Sequence, residues 1–190
     1  MASDDTSTPT PKGRKSRESI LRAAASRFES EGFERTTVRA IAKDAAIDPA
    51  MIIRYFGSKD GLFLAATTIE LDLPRMDAVP ERDLGHALAR HAVSLWDGET
   101  PGLALRILLR ASAQDADAAA RVRAVFAAQV LPFLPGGLAD SALRASLITS
   151  QILGYAFGRY VIALDPLLDL DPEAAARRLG PSLQSVIDGV

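Results

Sequence analysis

Three helix-start signals crowd one stretch of the chain: Thr36-Thr37, Asp48-Pro49 and Gly57-Ser58. A Thr, Asp or Ser side chain accepts a free first-turn amide, and proline suits the first helical position, where no amide hydrogen is needed. Helices that restart this often are short and must bury their apolar faces against a longer neighbour. That neighbour lies upstream. From Ser16, residues Ile20, Leu21, Ala24 and Phe28 recur at helical spacing until Glu31-Gly32 closes the run. Val38, Ile41, Ala42 and Ala45 then define a second helix, Asp48 opens a third, and a fourth begins at Lys59 with Leu62, Phe63 and Ile69. Two short helices joined through Ala46-Ile47 and braced by another predict a helix-turn-helix.

The third helix, "DPAMIIRYF", is unusually apolar. Its spacing places Ile52 and Phe56 on the face that packs with Ile41 and Ala45 against Leu21, Ala24 and Phe28. Pro49, Ala50, Ile53 and Arg54 then point away. An outward isoleucine beside an arginine suits a helix that enters a groove better than one that only meets water.

Charge divides along the same line. From Lys12 to Leu64 there are eleven basic and seven acidic residues, a balance of +4. From Ala65 to Val190 there are eleven arginines, no lysine and fifteen acids, a balance of −4. A basic front on an acidic body predicts an anionic partner at one end only. Residues 1–11, rich in Ser, Thr, Pro and Asp, are expected to form a disordered tail. The expected division is therefore tail 1–11, helix-turn-helix domain 12–64 and helical body 65–190. In the body, 80–96, 102–114, 115–133, 139–164 and 172–188 all carry helical periodicity. The class is all-α, with about nine helices.

At this point a resemblance is plain. "ILRAAASRFESEGFERTTVRAIAKDAAIDPAMIIRYFGSKDGLF" resembles the N-terminal pattern of the TetR family of bacterial transcription regulators. The agreeing features are the Ile-Leu-x-Ala-Ala helix, a Phe, a Gly-aromatic, the Thr-Thr pair, Ile-Ala, a short turn, an aromatic-Phe pair and Ser-Lys. The resemblance implies a DNA-binding regulator. It assigns phosphate contacts to Thr37 and Lys59, a backbone or groove-edge contact to Arg39, and DNA-facing positions to Pro49, Ala50, Met51, Ile53, Arg54 and Tyr55. Arg54 is the expected base reader, because a guanidinium matches the two acceptors of guanine. Two positions depart from the pattern. Ala46 stands where the family usually has glycine, and a left-handed backbone there would cost alanine energy. Ile53 stands where a tyrosine often lies.

For the body, the resemblance implies homodimers that pair through the last two helices, and a pocket for a small inducer. Leu147, Gly154, Gly158 and Ile162 share one face; Leu179, Leu183, Val186 and Val190 form a second stripe. Either could instead be intramolecular core. Gly180-Pro181 is expected to kink the last helix. Candidate pocket residues are Trp96, Arg106, Arg110, Phe126, Tyr155, Phe157 and Tyr160. Arg106 and Arg110, four apart, would meet an anionic ligand or bond the nearby Asp115 and Asp117.

An enzyme is not expected. The only histidines, His86 and His91, lie about 500° apart around a helix and do not share a metal-binding face. No phosphate loop or nucleophile elbow is present, and no cofactor is called for. The absence of cysteine points to a reducing compartment, the cytoplasm. The N-terminus has no apolar secretory core, and no apolar run reaches the ~18 residues of a membrane span. The competing expectation is a helical ligand-binding or interaction protein that has lost sequence-specific DNA binding, since Ile53 removes a phenol.

Overall fold

The computed structural model describes residues 11–73, 79–133 and 140–189. Among them there is no strand, and ten α-helices form two units that meet between Thr68 and Ile69. The first unit holds α1 (Pro11–Glu31), α2 (Val38–Asp44), α3 (Pro49–Phe56) and α4 (Lys59–Ala66). The second holds α5 (Leu84–Asp97), α6 (Thr100–Ser112), α7 (Ala116–Val125), α8 (Ser141–Ala156), α9 (Asp165–Leu168) and α10 (Pro172–Asp188). The helix beyond the expected nine is the four-residue α9, which a sequence period cannot resolve.

In the first unit α1 begins earlier than the apolar pattern suggested, at Pro11; residues 1–10 of the expected tail lie outside the described residues. Ile20, Ala24, Phe28, Ile41, Ile52 and Leu62 are fully buried. The rings of Phe28, Phe33 and Phe63 pack with centroids 5.0–5.9 Å apart, partly edge to face. Thr36 is buried with them because its hydroxyl donates to Gly32 O at 2.7 Å. Gly61 admits the start of α4 against the end of α3, since a Cβ there would stand 2.0 Å from Phe56 O.

In the second unit α5 and α10 pack backbone to backbone. A Cβ on Gly85 would lie 2.5 Å from both Gly180 O and Gln184 N, and one on Gly180 would lie 2.9 Å from His86 Cα. Gln184 Oε1 also accepts the Gly85 amide at 2.7 Å. Gly180 is therefore a close-packing residue, and α10 runs through Gly180-Pro181 without interruption. Leu84, Leu88, Ala89, Ala145, Ile148, Ala176, Leu183 and Ile187 form the core at this crossing. A second apolar cluster joins Ile69, Ala104, Leu108 and Ala118. α7 and α8 do not end cleanly: each passes into a π-helical turn, Phe126–Val130 and Phe157–Val161 respectively.

Residues 69–73 form neither helix nor strand, and side chains from the helices hold them in place. Gln129, in the first π turn, accepts from Leu71 N and donates to Ile69 O, both at 2.8 Å. His91 Nε2 meets Leu71 O at 2.7 Å. A carbonyl only accepts, so this ring nitrogen carries the hydrogen.

Candidate nucleic-acid interface and ligand cavity

Local chemistry builds the helix-turn-helix. Thr37 Oγ1 accepts from Ala40 N at 3.2 Å, Asp48 Oδ1 from Ala50 N at 2.7 Å, and Ser58 Oγ from Gly61 N at 3.0 Å. All three expected caps are therefore used. Between α2 and α3 the chain reverses in a Schellman motif. Ile47 N–H donates to Ala42 O at 3.0 Å and Ala46 N–H to Lys43 O at 3.2 Å. That geometry needs a left-handed residue, and Ala46 supplies it at φ 55°. The strained alanine anticipated from the sequence is real. Ser19 Oγ, on α1, donates to Ala45 O at 3.4 Å beside this turn.

This framework exposes one face of α3. Pro49, Ala50, Ile53 and Arg54 are exposed, with Ile53 at 48% of its surface, whereas Ile52 is wholly buried. Met51 and Tyr55 are half-buried. The Arg54 guanidinium lies over the Tyr55 ring at 5.3 Å, a cation–π contact. Phe56 was expected in the core but is only half-buried, and the Arg17 guanidinium covers its ring at 5.3 Å. Thr37 and Arg39 are exposed. The Thr37 oxygen accepts within the cap, which leaves its hydroxyl hydrogen to donate elsewhere. Lys59 is differently engaged. Its Nζ donates to Phe33 O at 2.8 Å and Thr36 O at 3.2 Å, and sits 4.1 Å from the Phe33 ring centre. Two of its three donors hold the loop before α2, a task the sequence did not reveal.

The body contains a partly open cavity of about 110 Å³. Its walls are Ile69, Leu71 and Leu73 of the irregular segment together with residues of α5, α6, α7, the first π turn and α8. Of the pocket residues anticipated, Trp96 and Phe126 line it. Arg106, Arg110, Tyr155, Phe157 and Tyr160 do not. Arg106 donates to Trp96 O at 2.7 Å and stands over the Tyr160 ring; Arg110 reaches Tyr160 O at 3.5 Å. Tyr160 stacks on Trp96 at 5.9 Å and donates to Asp97 Oδ1 at 2.5 Å. Burial first, then this hydrogen bond, holds the Tyr160 phenol above its ordinary range. Burial likewise raises Tyr155. The sequence missed Leu108, Val122, Ile148 and the segment 69–73 as walls. Apolar periodicity shows that such residues turn inward, not that space remains between them.

The expected dimer stripes divide. Leu147, Gly154 and Ile162 are exposed, and a Cβ on Gly154 would meet nothing within 4 Å. Gly158 instead packs on its own chain, against Leu167 and Leu164. Leu183 is 0% exposed in the α5–α10 core, and Leu179 and Val186 pack half-buried against it. The glycine crossing buries this side of α10. Val190 lies outside the described residues. Leu143 and Phe157, both exposed, extend the outward stripe. The spacing Leu143-Leu147-Gly154-Phe157 along one helix was the overlooked signal.

Comparison with known proteins decides the kind of molecule. A family model described as "Bacterial regulatory proteins, tetR family" matches residues 20–66. Another, "Tetracyclin repressor-like, C-terminal domain", matches residues 83–187, more than half the chain. The chain belongs to the TetR family of bacterial regulatory proteins. It is a ligand-responsive DNA-binding transcriptional regulator of that family, whose members are regulators and not, in general, enzymes. It is similar to the HTH-type transcriptional regulator BetI of Burkholderia thailandensis, 27% identical over 176 residues, covering 92% of this chain and 78% of that one. Among solved structures it resembles a TetR-family regulator from Streptomyces coelicolor A3, at 26% identity and TM-score 0.61, covering 96% and 99% of the two chains. The protein in the SmeT–triclosan complex shares the fold, at 20% identity, TM-score 0.63 and 90% coverage of both chains. No helix among the described residues is long and apolar enough to cross a membrane.

Proposed function

We propose that this regulator is a cytoplasmic homodimeric repressor that binds a palindromic operator and is released when a small molecule fills the cavity in its body. The observation that carries the DNA-binding part is the exposed face of α3, where Arg54 stands among Ala50 and Ile53 on a fully capped helix-turn-helix. Arg54 reads a guanine edge, while Ala50, Met51 and Ile53 contact thymine methyls or sugar. Pro49 abuts the groove wall, and Thr37, Arg39 and Tyr55 hold the backbone. Lys59 adds its remaining donor to a phosphate and keeps Thr37 in place. One such module is too small for tight site selection, so two recognition helices about 34–36 Å apart, or a multiple of that, complete the reader. The exposed face of Leu143, Leu147, Gly154, Phe157 and Ile162 supplies the dimer contact.

The test begins by selecting bound fragments from genomic DNA and measuring affinity by fluorescence anisotropy. Arg54→Ala should weaken the selected site by about 1–3 kcal/mol and relax one position per half-site, with little change on random DNA. Equal loss on selected and random DNA removes Arg54 as the reader.

A further inference from the structure

We infer that the cavity takes a compact, uncharged ligand, an aromatic or alicyclic hydrocarbon bearing at most one hydroxyl, and rejects its carboxylate counterpart. This deepens the reading above and rests on it for any effect on DNA. Size sets the first limit. The cavity of about 110 Å³ is of the order of the ~150 Å³ engineered apolar cavity that stays dry and binds benzene, and is too small to bury a long acyl chain whole. Chemistry sets the second. Among the described residues that line it there is no Asp, Glu, Lys or Arg. His91, Thr149 and Trp96 are the described lining side chains with a hydrogen-bonding atom, and His91 Nε2 is already committed to Leu71 O at 2.7 Å. A carboxylate would find no carboxylate-pairing Lys or Arg among these walls, and its desolvation would cost more than burial of one ring returns. The cations that periodicity offered are committed elsewhere: Arg106 to Trp96 O and the Tyr160 ring, Arg110 to Tyr160 O. A single hydroxyl is acceptable because Thr149 can both donate and accept.

The experiment titrates the full chain with toluene and, separately, with benzoate. Melting temperature and the methyl NMR signals of Leu108, Ile148 and Leu153 are the readouts. Toluene should raise the melting temperature with concentration and give intermolecular contacts to those methyls. Benzoate should bind on the order of a hundredfold more weakly, in keeping with the cost of an unpaired buried charge. Ala92→Leu, which enlarges a wall residue, should abolish toluene binding; if that variant does not fold, the wild-type methyl contacts decide. Benzoate binding at these methyls as tightly as toluene overturns the inference, as does failure of toluene to reach them. Operator affinity in the same samples separates the two readings. Toluene that binds the cavity yet leaves DNA affinity unchanged upholds the ligand class and removes ligand-controlled release. Benzoate that binds there in place of toluene and frees DNA does the reverse.

Discussion

The two units of this chain fill their interiors differently. Both use polar side chains locally and at long range: in the helix-turn-helix unit Thr37, Asp48 and Ser58 each cap the helix they open, while Lys59 reaches back to Phe33 O and Thr36 O. The apolar residues between fill the interior, with Ile20, Ile41, Ile52 and Leu62 at 0% exposure. In the body, Gln129 likewise bridges to Ile69 and Leu71 and Gln184 to Gly85, but the apolar interior is left hollow. A DNA-binding unit that keeps one shape gains from a filled interior. The proposed ligand site gains from space whose walls are tied across the chain.

The comparison can be strained from either side. Phe28→Ala removes the ring at the centre of the aromatic cluster and should cost about 3–5 kcal/mol. If the units are as separate as their bonding, NMR will show the signals of α1 to α4 lost at denaturant concentrations where those of α5 and α10 persist. Gln129→Leu tests the body's way of using polar groups. It leaves the Leu71 amide and the Ile69 carbonyl without their partner, and should lower stability by about 1–3 kcal/mol per group left buried and unbonded. Chemical denaturation would measure the loss, and hydrogen exchange should locate it at residues 69–73. Ala46→Gly should act in the opposite direction. Relief of the left-handed alanine should raise stability by about 1 kcal/mol, read as a higher urea midpoint at unchanged slope.

The smallest effect concerns pH. Arg27 binds Asp44 through two contacts, at 2.5 and 3.1 Å. The hydrogen bond, with charge attraction added, holds the Asp44 carboxyl below its usual value of 3.8. A depressed carboxyl stabilises the fold above its unfolded value and loses that contribution as pH falls through the folded one. Stability of the first unit should therefore decline below about pH 3.8, less steeply in Asp44→Asn, as followed by urea titrations along a pH series.

The same contrast explains what the sequence disclosed. Caps, the left-handed Ala46 and the inward Ile52 were legible because each depends on residues within a turn or two of itself. The destinations of Arg106, Gly158 and Leu183 were not, because they depend on which helix crosses where. Helical spacing made Leu183 part of a stripe, but only the Gly85–Gly180 crossing turns that stripe toward α5. It put Arg106 on an apolar helix, but only the approach of Trp96 and Tyr160 gave it a carbonyl and a ring. The cavity was least legible of all, since emptiness has no sequence signature.

The crossing of α5 and α10 has a mechanical meaning. With no side chain between the backbones at Gly85 and Gly180, neither helix can slide or roll there without atoms colliding. It works as a pin. α5 also forms one wall of the cavity through Leu88, His91, Ala92, Leu95 and Trp96. A guest too large for the resting volume must therefore push on the other walls, and of these the irregular segment 69–73 is fastened by side chains rather than by a helix. That segment continues directly from Thr68, the last residue of the DNA-reading unit.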